Sequence, residues 1–310
     1  MSRDFTPDLN EFRDPSSRPR ESSRPSHDAR PISGRPREET PRPGARSRDV
    51  REPLPKEVPA KDSRAVLYDR YRGYDLRESE IQTLTDLGKF RVINAEDLAR
   101  HGYGGDRGRM ERETENLMRQ GLVEQKRVEI SLSKNTRMYA LTKAGRRLMQ
   151  GSGRVLNDQE IYAGFVKPRE AKHDAELYRV YQREEDRIDR RGGRVRRVLL
   201  DFELKRKVNR DLVRLGPDKD DPDKKREIAE RHGLRVVHGR IPVPDLQIEY
   251  EMPDQSMARV NLELTTDDYR PRQLADKALA GFTLYSHGDD ASHVRRVLSD
   301  RELTAEILSL

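Results

Sequence analysis

Two apolar-alternating segments near the C-terminus set the clearest pattern in this chain. VPDLQIEYE places Asp245, Gln247 and Glu249 on one face of a strand and Leu246, Ile248 and Tyr250 on the other. ARVNLELTTDD does the same, with Asn261, Glu263 and Thr265 opposite Val260, Leu262 and Leu264. Paired as a hairpin, the two segments join their aliphatic faces and project Asp245 and Glu263 from one side. Two carboxylates held together on a sheet ligate a hard divalent cation, and such a cation activates water against a phosphodiester. The partner expected on these grounds is Mg2+ or Mn2+ on Asp245 and Glu263.

Helical spacing governs much of the rest. Ile81, Leu84 and Leu87 predict a helix stopped by Gly88. Asn94 caps a second, NAEDLARHGY, with Ala95, Leu98 and Ala99 inward. A third, DRGRMERETENLMRQGLV, buries Met110, Thr114, Leu117 and Met118 and ends at Gly121. Its arginines Arg107, Arg109, Arg112 and Arg119 are expected outward, mixed with glutamates. Two strands, VEQKRVEI and RMYALT, and a helix, KAGRRLMQ, follow. Beyond a linker, AKHDAELYRVYQREEDRIDRRGG is a helix with Ala175, Tyr178, Val180 and Tyr181 on one face, ended by Gly192 and Gly193. VRRVLLDFELKRK then reads as a strand, and the charged stretch 207–234 as helical with a break at GPDKDDPD. After the hairpin come a helix from about Pro271 to Ser286, a strand at HVRRVL and a helix at RELTAEILSL.

Composition changes this picture at the N-terminus. Eleven of the 18 prolines precede residue 60, in repeated Arg-Pro units without apolar periodicity, so residues 1–62 are expected to be a disordered tail. Mean hydropathy is -1.04 with 38% charged residues, which fits a chain that folds only in part. The net charge of +7 points to a polyanionic partner, nucleic acid before an anionic membrane. Without cysteine, disulfides and Cys-based zinc sites are excluded. No run has the apolar length of a membrane helix, and MSRDFTPDLN has no signal-peptide core, so a cytoplasmic location is expected. No Gly-rich phosphate loop, Gly-x-Ser-x-Gly elbow or His-x-His cluster is present, which argues against NTP hydrolysis, serine hydrolysis and histidine-cluster relaxase chemistry.

The order helix, helix, helix, hairpin, helix, carried by LMRQGLVEQKRV and RMYALTKAGRRLM, resembles winged helix-turn-helix domains. The resemblance implies double-stranded DNA as partner, with Arg107, Arg109 and Arg112 of the third helix meeting groove or phosphate and Lys126, Arg127, Lys134 and Arg137 on the wing. A solvated charged face is the other reading, and the interleaved glutamates favour it.

With the charged stretch 207–234 and the last helix left out, the later order, helix, three strands, helix, strand, with Pro244-Asp245 and Glu263 on consecutive strands, resembles the PD-(D/E)xK nuclease fold. More narrowly, the chain resembles the replication-relaxation family of plasmid and mobile-element proteins, through KHDAELY, LLDFELKRK, VPDLQIEY, NLELTTDDY and LADKALAGFTLY. The implied class is α+β: a disordered tail (1–62), a helix-rich winged-helix domain (63–152), and an α/β restriction-endonuclease-like domain (160–310). The implied role is DNA binding or nicking in replication or mobilisation of an element, as an Mg2+-dependent endonuclease or a degenerate, inactive one. The alternative is a non-catalytic transcriptional regulator whose C-terminal domain mediates interaction or homodimer formation. The nuclease pattern wants lysine where Thr265 stands, and Lys277 on the following helix is the substitute. Glu176 is the candidate third acid. Glu203 reads as structural or DNA-facing, and His173 as a helper base or a capping and packing residue.

Overall fold

Residues 64–77, to which no periodicity assigned an element, form a tight antiparallel hairpin of β1 (Arg64–Asp69) and β2 (Arg72–Arg77). Leu67, Tyr74 and Leu76 point inward while Arg64, Arg72 and Asp75 face out. The computed structural model describes residues 63–131, 134–265 and 269–310. The Arg/Pro-rich segment 1–62 and the side chain of Lys134 lie outside the described residues.

Helix α1 (Glu78–Phe90) buries Ile81, Leu84, Leu87 and Phe90, and Glu80 accepts the Arg77 N–H at 2.8 Å. Gly88 does not stop it. The helix runs on to Phe90 and turns at Arg91, whose φ is 63°. Gly88 instead admits Ile161, since a Cβ there would stand 2.9 Å from Ile161 Cγ2. β3 (Ile93–Asn94) leads into α2 (Ala95–Asp97), where Asn94 Oδ1 accepts the Asp97 N–H at 2.8 Å, and a π-helical turn follows over Leu98–Gly102. α3 (Arg107–Arg119) buries Met110, Thr114 and Leu117 and unwinds at Gly121, φ 75°. β4 (Val123–Ser131) and β5 (Lys134–Leu141) pair antiparallel, with β3 on the other side of β5. α4 (Lys143–Gly151), capped by Thr142, completes the expected succession.

The second half opens on α5 (Pro168–Arg190), then β6 (Arg194–Leu200), α6 (Asp201–Arg214), a 3-10 turn at Gly216–Asp220 and α7 (Pro222–Arg231). β7 (Leu246–Glu251) and β8 (Met257–Thr265) form the anticipated hairpin. α8 (Pro271–Leu279), β9 (Thr283–Ser286), α9 (Gly288–Ser299) and β10 (Ile307–Ser309) follow. The sheet order is β6-β7-β8-β9-β10, antiparallel as far as β8 and parallel beyond it. The change comes where α8 and α9 supply crossovers in place of tight turns.

Four sequence expectations for this half fail. VRRVLLDFELKRK is not one strand: it breaks at Leu200, and Leu204 and Val208, four apart, bury one face of α6. The helix begun at Pro271 ends at Leu279, and Gly281 (φ 81°) turns the chain into β9, whose four residues are all buried. A short apolar run such as FTLY suits a buried parallel strand as well as a helix. HVRRVL lies within α9, where Val294, Val297 and Leu298 show helical spacing, and RELTAEILSL supplies β10.

The architecture is mixed α and β, with the five-stranded sheet covered on both faces. Leu246, Ile248, Leu262, Leu264 and Tyr285 join a core that continues through Tyr178, Val180 and Tyr181 of α5 to Leu84 and Phe90 of α1. On the opposite face Leu284 packs with Val208, Ile228, Leu274 and Val294 of α6 to α9. α5 belongs to both halves of the chain: Arg179 binds Asp97 at 3.0 Å, Arg91 binds Asp174 at 3.1 Å, and Tyr178 donates to Asp86 at 3.2 Å. The core therefore runs unbroken past residues 152–160. Among the described residues no helix is long and apolar enough to cross a membrane.

Candidate functional site

The hairpin register brings the two acids together. Leu246 pairs with Leu262 and Gln247 with Asn261, so one further residue sets Asp245 against Glu263. Asp245 donates its backbone N–H to Glu263 Oε2 at 3.2 Å, and Leu264 donates its own to Asp245 Oδ2 at 3.0 Å. The polar face of this hairpin is covered. Gln247 Nε2 donates to Asn261 Oδ1 at 2.8 Å and to the His232 carbonyl at 3.0 Å, while Asn261 Nδ2 donates to the Gly233 carbonyl at 2.9 Å.

Lys277, in the last turn of α8, reaches the pair. Its Nζ stands 2.6 Å from Glu263 Oε1 and donates to the Val243 carbonyl at 2.7 Å. Tyr269 donates its hydroxyl to the same Oε1 at 2.6 Å. Glu263 is fully buried. Burial pushes its carboxyl well above the ordinary range and the Asp245 charge adds to that, against the pull of Lys277 and Tyr269. Thr265, at the position where the nuclease pattern carries lysine, is buried and donates to the Tyr285 carbonyl at 3.1 Å. It is part of the core and does not reach the acids' other partners.

His173, early in α5, lies 3.4 Å through Nε2 from Asp245 Oδ2 and 3.6 Å through Nδ1 from Asp174 Oδ1. Burial works against its charge, but Asp174 and Asp245 outweigh it and raise the imidazole to about 10. Asp245 thus faces an imidazolium. Glu176 faces a different residue, His287, whose Nε2 is 3.6 Å from Glu176 Oε1. Nothing described joins it to Asp245 or Glu263. Glu203 is tied to Arg197 at 2.6 Å and Lys207 at 2.5 Å and accepts the Tyr162 hydroxyl at 3.1 Å, an internal knot.

Two contributors carried no signal in the sequence: Tyr269 and the Val243 carbonyl. Both lie in irregular segments flanking strands, where contacts follow no period. The donor set is two carboxylates, and among the described residues no group of three or more His, Cys, Asp or Glu gathers for a metal. A pair of hard oxygen ligands completed by water is how magnesium is commonly held. Asp245 Oδ1 has no partner among the described residues, whereas both oxygens of Glu263 are engaged, so the open position for a hard cation lies on Asp245.

The residues expected to meet DNA separate into groups. Arg107 is exposed and pairs with Glu111 at 3.2 Å, and Arg137 of β5 binds the same glutamate. Arg112, Lys126 and Arg127 are exposed, with Lys126 Nζ lying 4.7 Å over the Phe165 ring. Arg109 departs from its expected outward place. It is 20% exposed, bonds Glu113 at 2.8 Å and Ser79 at 2.9 Å, and so ties α3 to α1. Compared with protein-family models, curated proteins and solved structures, the chain matches none of them.

Proposed function

We propose that the chain is a DNA-binding protein of the replication-relaxation type. In this reading residues 63–152 form a winged helix that locates duplex DNA, and residues 160–310 form a nuclease-like domain that nicks it. The observation that carries the reading is the meeting of Asp245, Glu263 and Lys277, which are distant in sequence, at one end of a buried hairpin. Mg2+ or Mn2+ held by Asp245 and Glu263 would supply a polarised water and offset phosphate charge. Lys277 favours the ionised form of Glu263 against burial and brings a positive charge beside the acids. The Leu264 N–H orients Asp245, and the imidazolium of His173 balances it.

A second reading, DNA binding without cleavage by a C-terminal interaction or dimerisation module, is favoured by one observation: both oxygens of Glu263 are already engaged. Nicking of supercoiled plasmid with Mg2+ or Mn2+ separates the two. The nuclease reading expects cleavage that falls at least about 100-fold in Asp245→Asn, a substitution that keeps an acceptor for Leu264. If wild type cleaves no supercoiled, relaxed or single-stranded DNA, the enzyme reading is lost. Equal cleavage by both proteins removes Asp245 from the mechanism.

A further inference from the structure

Beside the acid pair, and sharing Lys277 and Val243 with it, a pocket of about 490 Å3 opens between α6, α7 and the loop before β7. That size lies within the range of small-molecule sites. Its charged lining is one-sided: Lys205, Lys225, Arg240 and Lys277 enter it and no acid does. Lys277 is held by Glu263 and Lys205 by Asp201, acids outside the lining, so Lys225 and Arg240 are the lining cations left without a carboxylate among the described residues.

The cations differ in how firmly they are held. Lys205 pairs with Asp201 at 2.7 Å on the exposed surface of α6, a contact of small worth. Lys225 donates to a neutral partner, the Gly239 carbonyl, at 3.1 Å. Arg240 is exposed and has no carboxylate partner among the described residues. It is presented by a two-residue turn. Val237 and Arg240 exchange backbone hydrogen bonds of 2.8 and 2.9 Å around His238 and Gly239, both at positive φ. Such a turn fixes the direction of the residue that follows it. Val208 and Leu212 of α6, with Ile241 and Val243 of the loop, make the apolar remainder.

A dianionic phosphate beside an apolar wall is what this combination suits. We propose that the pocket binds a nucleotide bearing a terminal phosphate, with the phosphate against Arg240 and Lys225 and the base against the aliphatic side. The choice of a nucleotide over other phosphate esters rests on the reading of the adjacent acid pair; the choice of a phosphate does not.

The test uses the full chain in EDTA, so that it does not depend on nicking. Fluorescence anisotropy compares 12-nucleotide single strands that carry a 5′-phosphate, a 3′-phosphate or neither. At least one phosphorylated end is expected to bind about tenfold more tightly than the unphosphorylated strand, in line with charge-assisted bonds. Arg240→Ala and Lys225→Ala should each erase the preference, and Arg214→Ala, an exposed arginine outside the pocket, should retain it. Thermal melting checks that the variants fold. Competition by free nucleoside monophosphate assigns the pocket to a free nucleotide, and absence of competition assigns it to a strand end. Equal binding of all three strands without competition by the monophosphate overturns the proposal, as does a preference that survives both substitutions. Loss of the nuclease reading with the preference intact leaves the phosphate site standing.

Discussion

Glu113 on α3 and Glu263 on β8 are both withdrawn from solvent, 3% and 0% exposed, and both accept hydrogen bonds from a cation and a hydroxyl. Glu113 has two arginines, Arg109 at 2.8 Å and Arg77 at 3.3 Å, together with the Ser79 hydroxyl at 2.6 Å. Burial opposes its ionisation, but these partners outweigh burial and hold the carboxyl below its ordinary value. Glu263 has one lysine, and a second acid, Asp245, lies beside it, so its carboxyl is pushed up. An acid with surplus cations binds helices together. An acid short of them, beside another acid, has spare affinity for positive charge and is the place to look for chemistry.

The largest effect expected from this contrast follows removal of the single cation. Lys277→Met leaves Glu263 buried without its counter-charge and should cost about 3–5 kcal/mol at pH 8 in urea unfolding. The cost should shrink at pH 5.5. A carboxyl raised in the folded state carries its favourable share below the unfolded carboxylate range and loses it as pH rises through the folded value. A penalty independent of pH would show that Glu263 is not strained by its charge. Glu113→Gln should cost less, about 1–3 kcal/mol, by weakening bonds to Arg109 and Ser79. Its share is present above the unfolded carboxylate range and is lost only below it, so the penalty should be the same at pH 5.5 and 8. A penalty that varies across that window would erase the distinction between the two acids. The smallest effect belongs to the surface. Arg107→Ala should change stability by less than about 0.5 kcal/mol. If α3 meets duplex DNA, the same change lowers the salt slope of binding by about 1, measured by titration between 50 and 200 mM salt. An unchanged slope would take Arg107 off the interface.

How much of this was written in the sequence depends on whether a feature repeats locally. The hairpin holding Asp245 and Glu263 was legible because period two fixes both the register and the face. The buried sides of α1, α3 and α5 were legible for the matching reason at helical spacing. β9 was not, since all four of its residues, Thr283 and Ser286 as well as Leu284 and Tyr285, are buried, and a strand covered on both faces shows no alternation. The helix over 207–214 was anticipated, but the first turns of α6, Asp201–Arg206, were read as strand because their charged face hid the four-residue spacing of Leu204 and Val208. Within the site, Lys277 was anticipated from its helix, but Tyr269 was not, because a loop residue declares its partner only once the chain has turned. Glu176 sat on the anticipated helix and still faced His287, since the rotation of α5 is set by Tyr178 and Tyr181 packing on α1. Arg109 was read outward, although four residues separate it from Glu113 and that spacing already put them on one side of α3.

Helix α5 bears on how such a protein diversifies. One edge carries Asp174, Tyr178 and Arg179 to partners between Asp86 and Asp97, while His173 and Glu184 meet Asp245 and Tyr285 of the sheet. A gene exchange that joined this N-terminal half to a foreign sheet at residues 152–160 would bring a first helix cut to fit another neighbour. Shuffling at that linker is therefore costly, and the two halves are expected to be inherited as a pair.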